Sequence, residues 1–275
     1  MLERFSYTNS FGETLEFGKD CLFVNENDLR DFAWGITTKN DKISGFKKGI
    51  VQKTIPVILK CKTEADGVAL RNRLFEVFEK DVLAKQHGKI HIGEYYLRCY
   101  ITGSQKAQYL IQKGYMSVTL TVQTDAPEWI KETTTVHNAT EGVSTEPFLD
   151  YSYDYPHDFR NELVNASVNN TNIVASNFIM TITGFVQNPE LFIGGHRYAV
   201  NVTVGTYETL TIDSIKKTIV LTKVNKEQVN CFNDRNRDSY IFEKIPPGFS
   251  VITSPNGQFS FSVTLLEERS EPKWT

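Results

Sequence analysis

The side chains best able to do chemistry are few and scattered. His87 and His91 have the H-x3-H spacing at which two imidazoles on a helix can hold one metal ion. Gly88 lies between them and marks a turn into a strand, where that spacing does not bring both rings to one side, so both read as structural histidines. Asp234, Arg235, Asn236, Arg237 and Asp238 form an oxygen-rich run, but it lacks the glycine and the closing glutamate of a calcium loop. His196, Arg197 and Asn201 are of the types that hydrogen-bond sugar hydroxyls, and Tyr198 or Trp274 could stack on a sugar ring. At strand spacing the same three are equally a solvent face. There is no Gly-x-Ser-x-Gly elbow, phosphate-binding loop or dinucleotide fingerprint. The reading is of a protein without catalytic, cofactor-binding or metal-ligating residues, and not of an enzyme.

Composition narrows the class. The 275 residues suit two domains, and the 18 Phe and 12 Tyr favour strands over helices. Net charge is −3, divided as +2 over residues 1–130 and −5 over the rest, so neither half has the dense basic patch of a nonspecific nucleic-acid binder. Lys39, Lys42, Lys47, Lys48 and Lys53 cluster around Gly45 and Gly49 and read as a solvated, turn-like loop. The four cysteines, Cys21, Cys61, Cys99 and Cys231, are far apart and sit at apolar or strand positions, as buried thiols in a reducing compartment do. Met1 to Phe5 lacks the basic-then-apolar pattern of a signal peptide, and no apolar run is long enough for a membrane-spanning helix.

Hydrophobic periodicity gives the elements. Phe5 to Tyr7, Leu15 to Phe17 and Cys21 to Val24 read as short strands. From Thr54, Ile55, Val57, Leu59 and Cys61 alternate on one face. The period then changes: Thr63 resembles an N-cap, and Leu70, Leu74, Val77 and Phe78 fall on one side of a helix over about 64–86, stopped near Gly88. Strand signals return at Lys89 to Ile92, Glu94 to Thr102 and Tyr115 to Gln123, and Pro127 closes the pattern. Beyond Phe159 the chain is strand and turn, with clear alternation at Phe178 to Thr183, Arg197 to Val204 and Phe259 to Leu265. The expected fold is mainly β: a domain over 1–131 with one packed helix, and an antiparallel β-sandwich over 160–275.

Between them, residues 132–159 carry six acids and no Lys or Arg, and end in Tyr151-Ser152-Tyr153-Asp154-Tyr155-Pro156-His157-Asp158-Phe159. Thr133 to Ser144 reads as a flexible or extended arm. Tyr151, Tyr153, Tyr155 and Pro156 read as an ordered joint between the domains, because tyrosine rings can bury against a domain while their hydroxyls stay wet.

Taken in order along the chain, several stretches resemble the distal tail protein family of long-tailed phages and prophages. They are Phe5-Ser6-Tyr7-Thr8-Asn9-Ser10, Leu15-Glu16-Phe17-Gly18, Pro127-Glu128-Trp129, the tyrosine-rich joint, Asn188-Pro189-Glu190-Leu191, Leu210-Thr211-Ile212-Asp213 and Ile245-Pro246-Pro247-Gly248. The chain has no room for the carbohydrate-binding inserts of longer members. The resemblance implies a split-barrel-like first domain that assembles into a homohexameric ring, and a galectin-like second domain. It further implies a tail-tip hub in the virion, made in the host bacterial cytoplasm. Its partners would be the major tail tube protein, the tail-tip protein, and receptor-binding or baseplate proteins, with DNA passing through the lumen and no membrane insertion. A carbohydrate-binding module is the alternative, since a galectin-like fold does not by itself dictate sugar binding.

One expectation follows from the joint. Replacing Tyr153 and Tyr155 by Ala should speed proteolytic separation of the two domains while both keep their own unfolding transitions. Loss of the first domain's transition would put this stretch in that core instead.

Overall fold

The computed structural model describes residues 4–19, 21–24, 26–110, 115–139, 166–255 and 259–274, with side chains omitted at 107–110. The tyrosine-rich joint, with Tyr151, Tyr153, Tyr155 and Pro156, lies outside the described residues. The chain is mainly β and divides into two compact units, Met1–Lys131 with Glu268–Thr275, and Glu132–Glu267. The last residues thus group with the first unit, where the sequence reading carried the second module through to 275.

In the first unit, β1 (Phe5–Thr8) pairs with β2 (Thr14–Phe17) and with β7 (Gly88–Ile92), all antiparallel. β7 pairs with the start of β8 (Tyr95–Leu110), which also pairs with Trp129–Lys131 of β10 (Trp129–His137). The rest of β8 leaves that sheet to pair with β9 (Tyr115–Thr124), which lies beside β6 (Val51–Lys60), itself beside β3 (Leu22–Val24). Register shifts at Ile101/Gly103 and Lys106/Gln108 bend β8, so one long strand serves two sheets. The alternating residues of both sheets meet in one core with Phe5, Phe17, Leu59, Leu97, Val118 and Trp129.

The helix α1 (Glu64–Ala84) starts as its sequence dictates: the Thr63 hydroxyl accepts the Asp66 backbone N–H at 3.1 Å. It ends earlier than Gly88, at Lys85, which adopts the left-handed conformation (φ 53°) while the Gln86 N–H reaches back to the Asp81 carbonyl at 3.1 Å. Leu74, Val77 and Phe78 are buried as the helical period requires, and the next position on that stripe is Asp81, fully buried. Its carboxylate accepts the Tyr7 hydroxyl at 2.5 Å, the Ser10 backbone N–H at 2.8 Å and the Ser10 hydroxyl at 2.6 Å. Burial first, and then this hydrogen bond, push the Tyr7 hydroxyl far above the usual phenol range, so it stays a donor. Gly88 passes so close that an added Cβ would lie 2.2 Å from the Tyr7 hydroxyl and 2.5 Å from Asp81. The glycine is there for close approach, not to stop the helix.

In the second unit, one sheet runs β19 (Gln228–Asn230), β18 (Thr218–Thr222), β17 (Thr209–Asp213), β12 (Asn177–Thr183), β21 (Ser260–Arg269) and the end of β10. The opposing sheet is β11 (Ser167–Asn170), β20 (Gly248–Thr253), β14 (Glu190–Ile193) and β15 (His196–Ala199), with a small pair β13 (Val186–Gln187) and β16 (Thr203–Val204). Their inner faces share one core, and Phe178 of the first sheet meets Tyr198 of the second edge-on at 5.3 Å. This is a β-sandwich. Of the two readings open for the start of the polar arm, flexible or extended, residues 133–137 take the extended one: they continue strand β10, and the Thr134 hydroxyl meets that of Thr264 at 2.8 Å. One expectation is corrected: Arg197 to Val204 is two strands, broken where Val200 bridges to Arg235.

Asp81→Ala should cost about 2–3 kcal/mol, because it leaves the buried Tyr7 hydroxyl without an acceptor and releases Ser10 to solvent, and Tyr7→Phe about 2 kcal/mol. Gly88→Ala should cost about 1–3 kcal/mol by overpacking. Urea unfolding followed through the buried Trp129 measures all three, and an Asp81→Ala variant of unchanged midpoint would refute this account of the helix anchor.

Candidate functional site

The chemistry-bearing residues of the sequence do not converge. His87 sits before β7 with Nε2 3.0 Å from an Asp125 carboxylate oxygen, and its ring lies against Tyr100. His91 lies within β7, in register with Ser6 and Tyr96. Among the described residues no three of His, Cys, Asp and Glu cluster as a metal site would require. The Asp234 to Asp238 run begins in a 3-10 turn (Phe232–Asp234), and its donors are spent locally. Arg235 stacks on the Phe232 ring at 4.0 Å and donates to its carbonyl at 2.6 Å, while the Asn236 N–H reaches the Ala199 carbonyl at 3.0 Å.

The sugar-type residues fare similarly. His196 and Arg197 are consecutive on β15 and so face opposite sides of the sheet. Arg197 is bonded through Nε to Glu190, which holds its guanidinium pKa up, and lies 3.8 Å from Asp238; His196 Nε2 is 2.9 Å from the Tyr240 carbonyl. Trp274 belongs to the first unit, where the Arg30 guanidinium covers one ring face at 3.9 Å.

What the structure presents instead is an apolar arm. The basic stretch that reads as a solvated loop is a hairpin, β4 (Gly35–Lys39) and β5 (Lys42–Lys47). Asn40 and Asp41 at its tip both have positive φ, 51° and 59°, as a two-residue hairpin turn that follows strand twist demands. Ile36 faces Phe46 across the pair, and Thr38 faces Ile43. Ser44 is the extra residue that makes this possible: a bulge at Thr37/Thr38 shifts the register and brings Ile43 to the same face as Phe46. Gly45 is needed opposite Thr37, since a Cβ there would lie 2.9 Å from the Thr37 hydroxyl. The result is one apolar face, and it is uncovered: Ile36 is 56% exposed, Ile43 58% and Phe46 63%. Trp34 meets Phe46 at its base, and Phe32 and Ile50, which flank the hairpin in the chain, are exposed as well. Exposed apolar surface of this extent on a folded chain marks an interaction site.

The base of the arm is held by buried cations. Lys48 lies 4.6 Å from the Trp34 ring and 3.5 Å from a Glu128 carboxylate oxygen, and Trp34 meets Phe46 edge-on at 6.4 Å. Lys53 occupies a core-facing position of β6, only 4% exposed, and there its ammonium donates to the Asp28 carbonyl at 2.9 Å and to that of Asp31. Burial lowers its pKa. Asp28 in turn accepts the Thr54 N–H at 2.7 Å. The loop leading into the arm is thereby stitched to β6. Elsewhere in the first unit, a groove of about 540 Å³ opens between α1 and the strands β8 and β9, lined by Phe75, Phe78, Val82, Ile101, Met116 and Leu120. Phe75 stands 62% exposed at its edge.

No family model and no curated protein sequence matches the chain. Solved structures do. The Dit (gp 19.1) protein of phage SPP1, described as a paradigm of the hub adsorption apparatus in phages that infect Gram-positive bacteria, superposes with a TM-score of 0.60 at 13% identity, covering 96% of this chain and 99% of that one. A chain of the phage P2 baseplate in its activated conformation with Ca gives 0.62 at 11% identity, covering 99% and 100%. The same baseplate with Sr gives 0.58 at 10% identity, with the same coverage. Over nearly its whole length, the chain has the fold of phage hub and baseplate proteins.

Proposed function

We propose that this protein is a structural hub of a phage or prophage tail tip. In this reading it forms a hexameric ring that joins the tail tube to the tail-tip or baseplate proteins and lets DNA pass through its lumen. The observation that carries the reading is that both units, in one continuous match, follow the hub and baseplate chains end to end. A shared β-sandwich alone would match half of each.

Two features of the first unit support the ring reading. A closed ring is built from head-to-tail contacts between two unlike patches on each copy. The arm face of Ile36, Ile43 and Phe46 is one such patch, and the groove beside Phe75 is a second, of apolar lining suited to receive it. The arm of each copy seats in the groove of the next, burying the apolar side chains that a lone copy leaves in water. Residues 132–159, with Tyr151, Tyr153, Tyr155 and Pro156, serve as the joint to a galectin-like second domain that docks receptor-binding or baseplate proteins. The chain is made in the bacterial cytoplasm and ends in the virion tail tip. It works by assembly, without covalent chemistry.

Sedimentation velocity at micromolar concentration tests this. The wild-type chain should run at six times the chain mass. Phe46→Asp and Phe75→Asp should each run as monomers, with unfolding free energies within about 0.5 kcal/mol of wild type because neither residue is in the core. A wild-type chain that stays monomeric at high micromolar concentration would overturn the reading.

A further inference from the structure

Two of the four thiols are neighbours. The β3–β6 register pairs Leu22 with Leu59, and just before it the Lys60 N–H donates to the Cys21 carbonyl at 3.0 Å. Cys21 therefore stands opposite Lys60, one residue short of Cys61. In a regular strand Cys61 would point to the other face. β6 ends at Lys60, however, and releases Cys61 from the pleat. Its side chain is then no longer held to the far face, and Cys21, opposite the preceding residue, is its nearest thiol neighbour on the paired strand. Cys61 is buried and Cys21 half-buried, whereas Cys99 and Cys231 are both buried apart from any thiol partner among the described contacts.

The segment between the two, residues 22–60, holds the whole arm, the loop ahead of it, and the Lys53 clamp. We propose that Cys21 and Cys61 are an oxidation site, closing into a disulfide that ties off the base of the arm when the folded protein meets a small-molecule disulfide of the oxidised-glutathione class. The Cys21 thiolate attacks one sulfur of the small disulfide, forms a mixed disulfide and expels one small thiolate. Cys61 loses its proton to solvent, attacks the Cys21 sulfur and expels the second. Two protein thiols are oxidised and one small disulfide is reduced to two thiols. Directly opposed residues of an antiparallel pair have Cα atoms about 4.5–5.5 Å apart, and Cys61 is one residue beyond the one opposite Cys21, against the roughly 4.4–6.8 Å that disulfides span.

The pair also predicts a rate law. Burial, and next the neighbouring Cys21 thiol, push the Cys61 thiol up to about 11, so the closing step is slow at neutral pH and should quicken about tenfold per pH unit up to that value. The experiment uses the full reduced chain and oxidised glutathione, with timed alkylation and intact and peptide mass spectrometry. The expected product has lost two hydrogens, carries no glutathione, and yields a linked peptide pair containing Cys21 and Cys61. Cys61→Ser should stop at the glutathione adduct on Cys21. The inference fails if wild type accumulates a lasting adduct on Cys21 with Cys61 still alkylated after unfolding, if the linked pair involves Cys99 or Cys231, or if no thiol is consumed. None of these outcomes depends on whether the protein forms rings.

Discussion

A buried carboxylate sets the geometry of the first unit. Asp81 projects from the last turn of α1 into the core and is satisfied only because Tyr7 on β1 and Ser10 in the following turn are both in place. A carboxylate left there without donors would cost more than the helix gains by packing. The helix therefore has one position along β1, and Gly88 permits it by bringing β7 past with no side chain in the way. At the surface the same pairing is repeated by Lys80, which donates to both Glu13 carboxylate oxygens at 2.8 Å and holds that carboxyl below its usual range. An aliphatic residue at 81 could slide along an apolar surface. An aspartate cannot.

The arm depends on a similar device. Lys53 sits where the alternation of β6 calls for a hydrophobic residue, and it directs its ammonium to backbone carbonyls of the loop that leads into the hairpin. An ammonium offers three donors and can bridge carbonyls that no apolar side chain could organise. The arm is thus an apolar hairpin on a fixed mount, and its bulge keeps Ile36, Ile43 and Phe46 on one side. A hairpin with an apolar face of its own and no core behind it gains stability only from something outside its unit. That requirement links the local geometry to assembly.

How much of this was legible follows from where each segment buries. β6, β9, β12 and β21 bury alternate residues, so period-two patterns expose them in the sequence, and α1 shows a period-3.6 stripe. The arm was hidden because exposure on both faces removes the constraint that writes alternation, and Ser44 shifts the phase midway. Lysines on one face and glycines at the bulge then read as a solvated loop. Lys53 reads as part of that solvated loop, yet it is buried, and Asp81 is not singled out by its pattern at all: each is a charge at a core-facing position whose role depends on distant partners. The partners that satisfy them come from 71 or 74 residues away for Asp81 and from 22 and 25 residues away, in the loop ahead of the hairpin, for Lys53, pairings that no local pattern encodes. The near contact of Cys21 and Cys61 was equally unreadable, because it arises where a strand ends.

The central claim is that this fold works as a closed ring, with the arm covered by a neighbouring copy. Single-particle electron microscopy of the purified 275-residue chain tests it most directly. The account predicts end-on class averages with sixfold symmetry, an open lumen, and density joining each subunit's hairpin to the next. Particles of one-chain size, or a closed particle of other symmetry with the hairpins projecting into solvent, would contradict it.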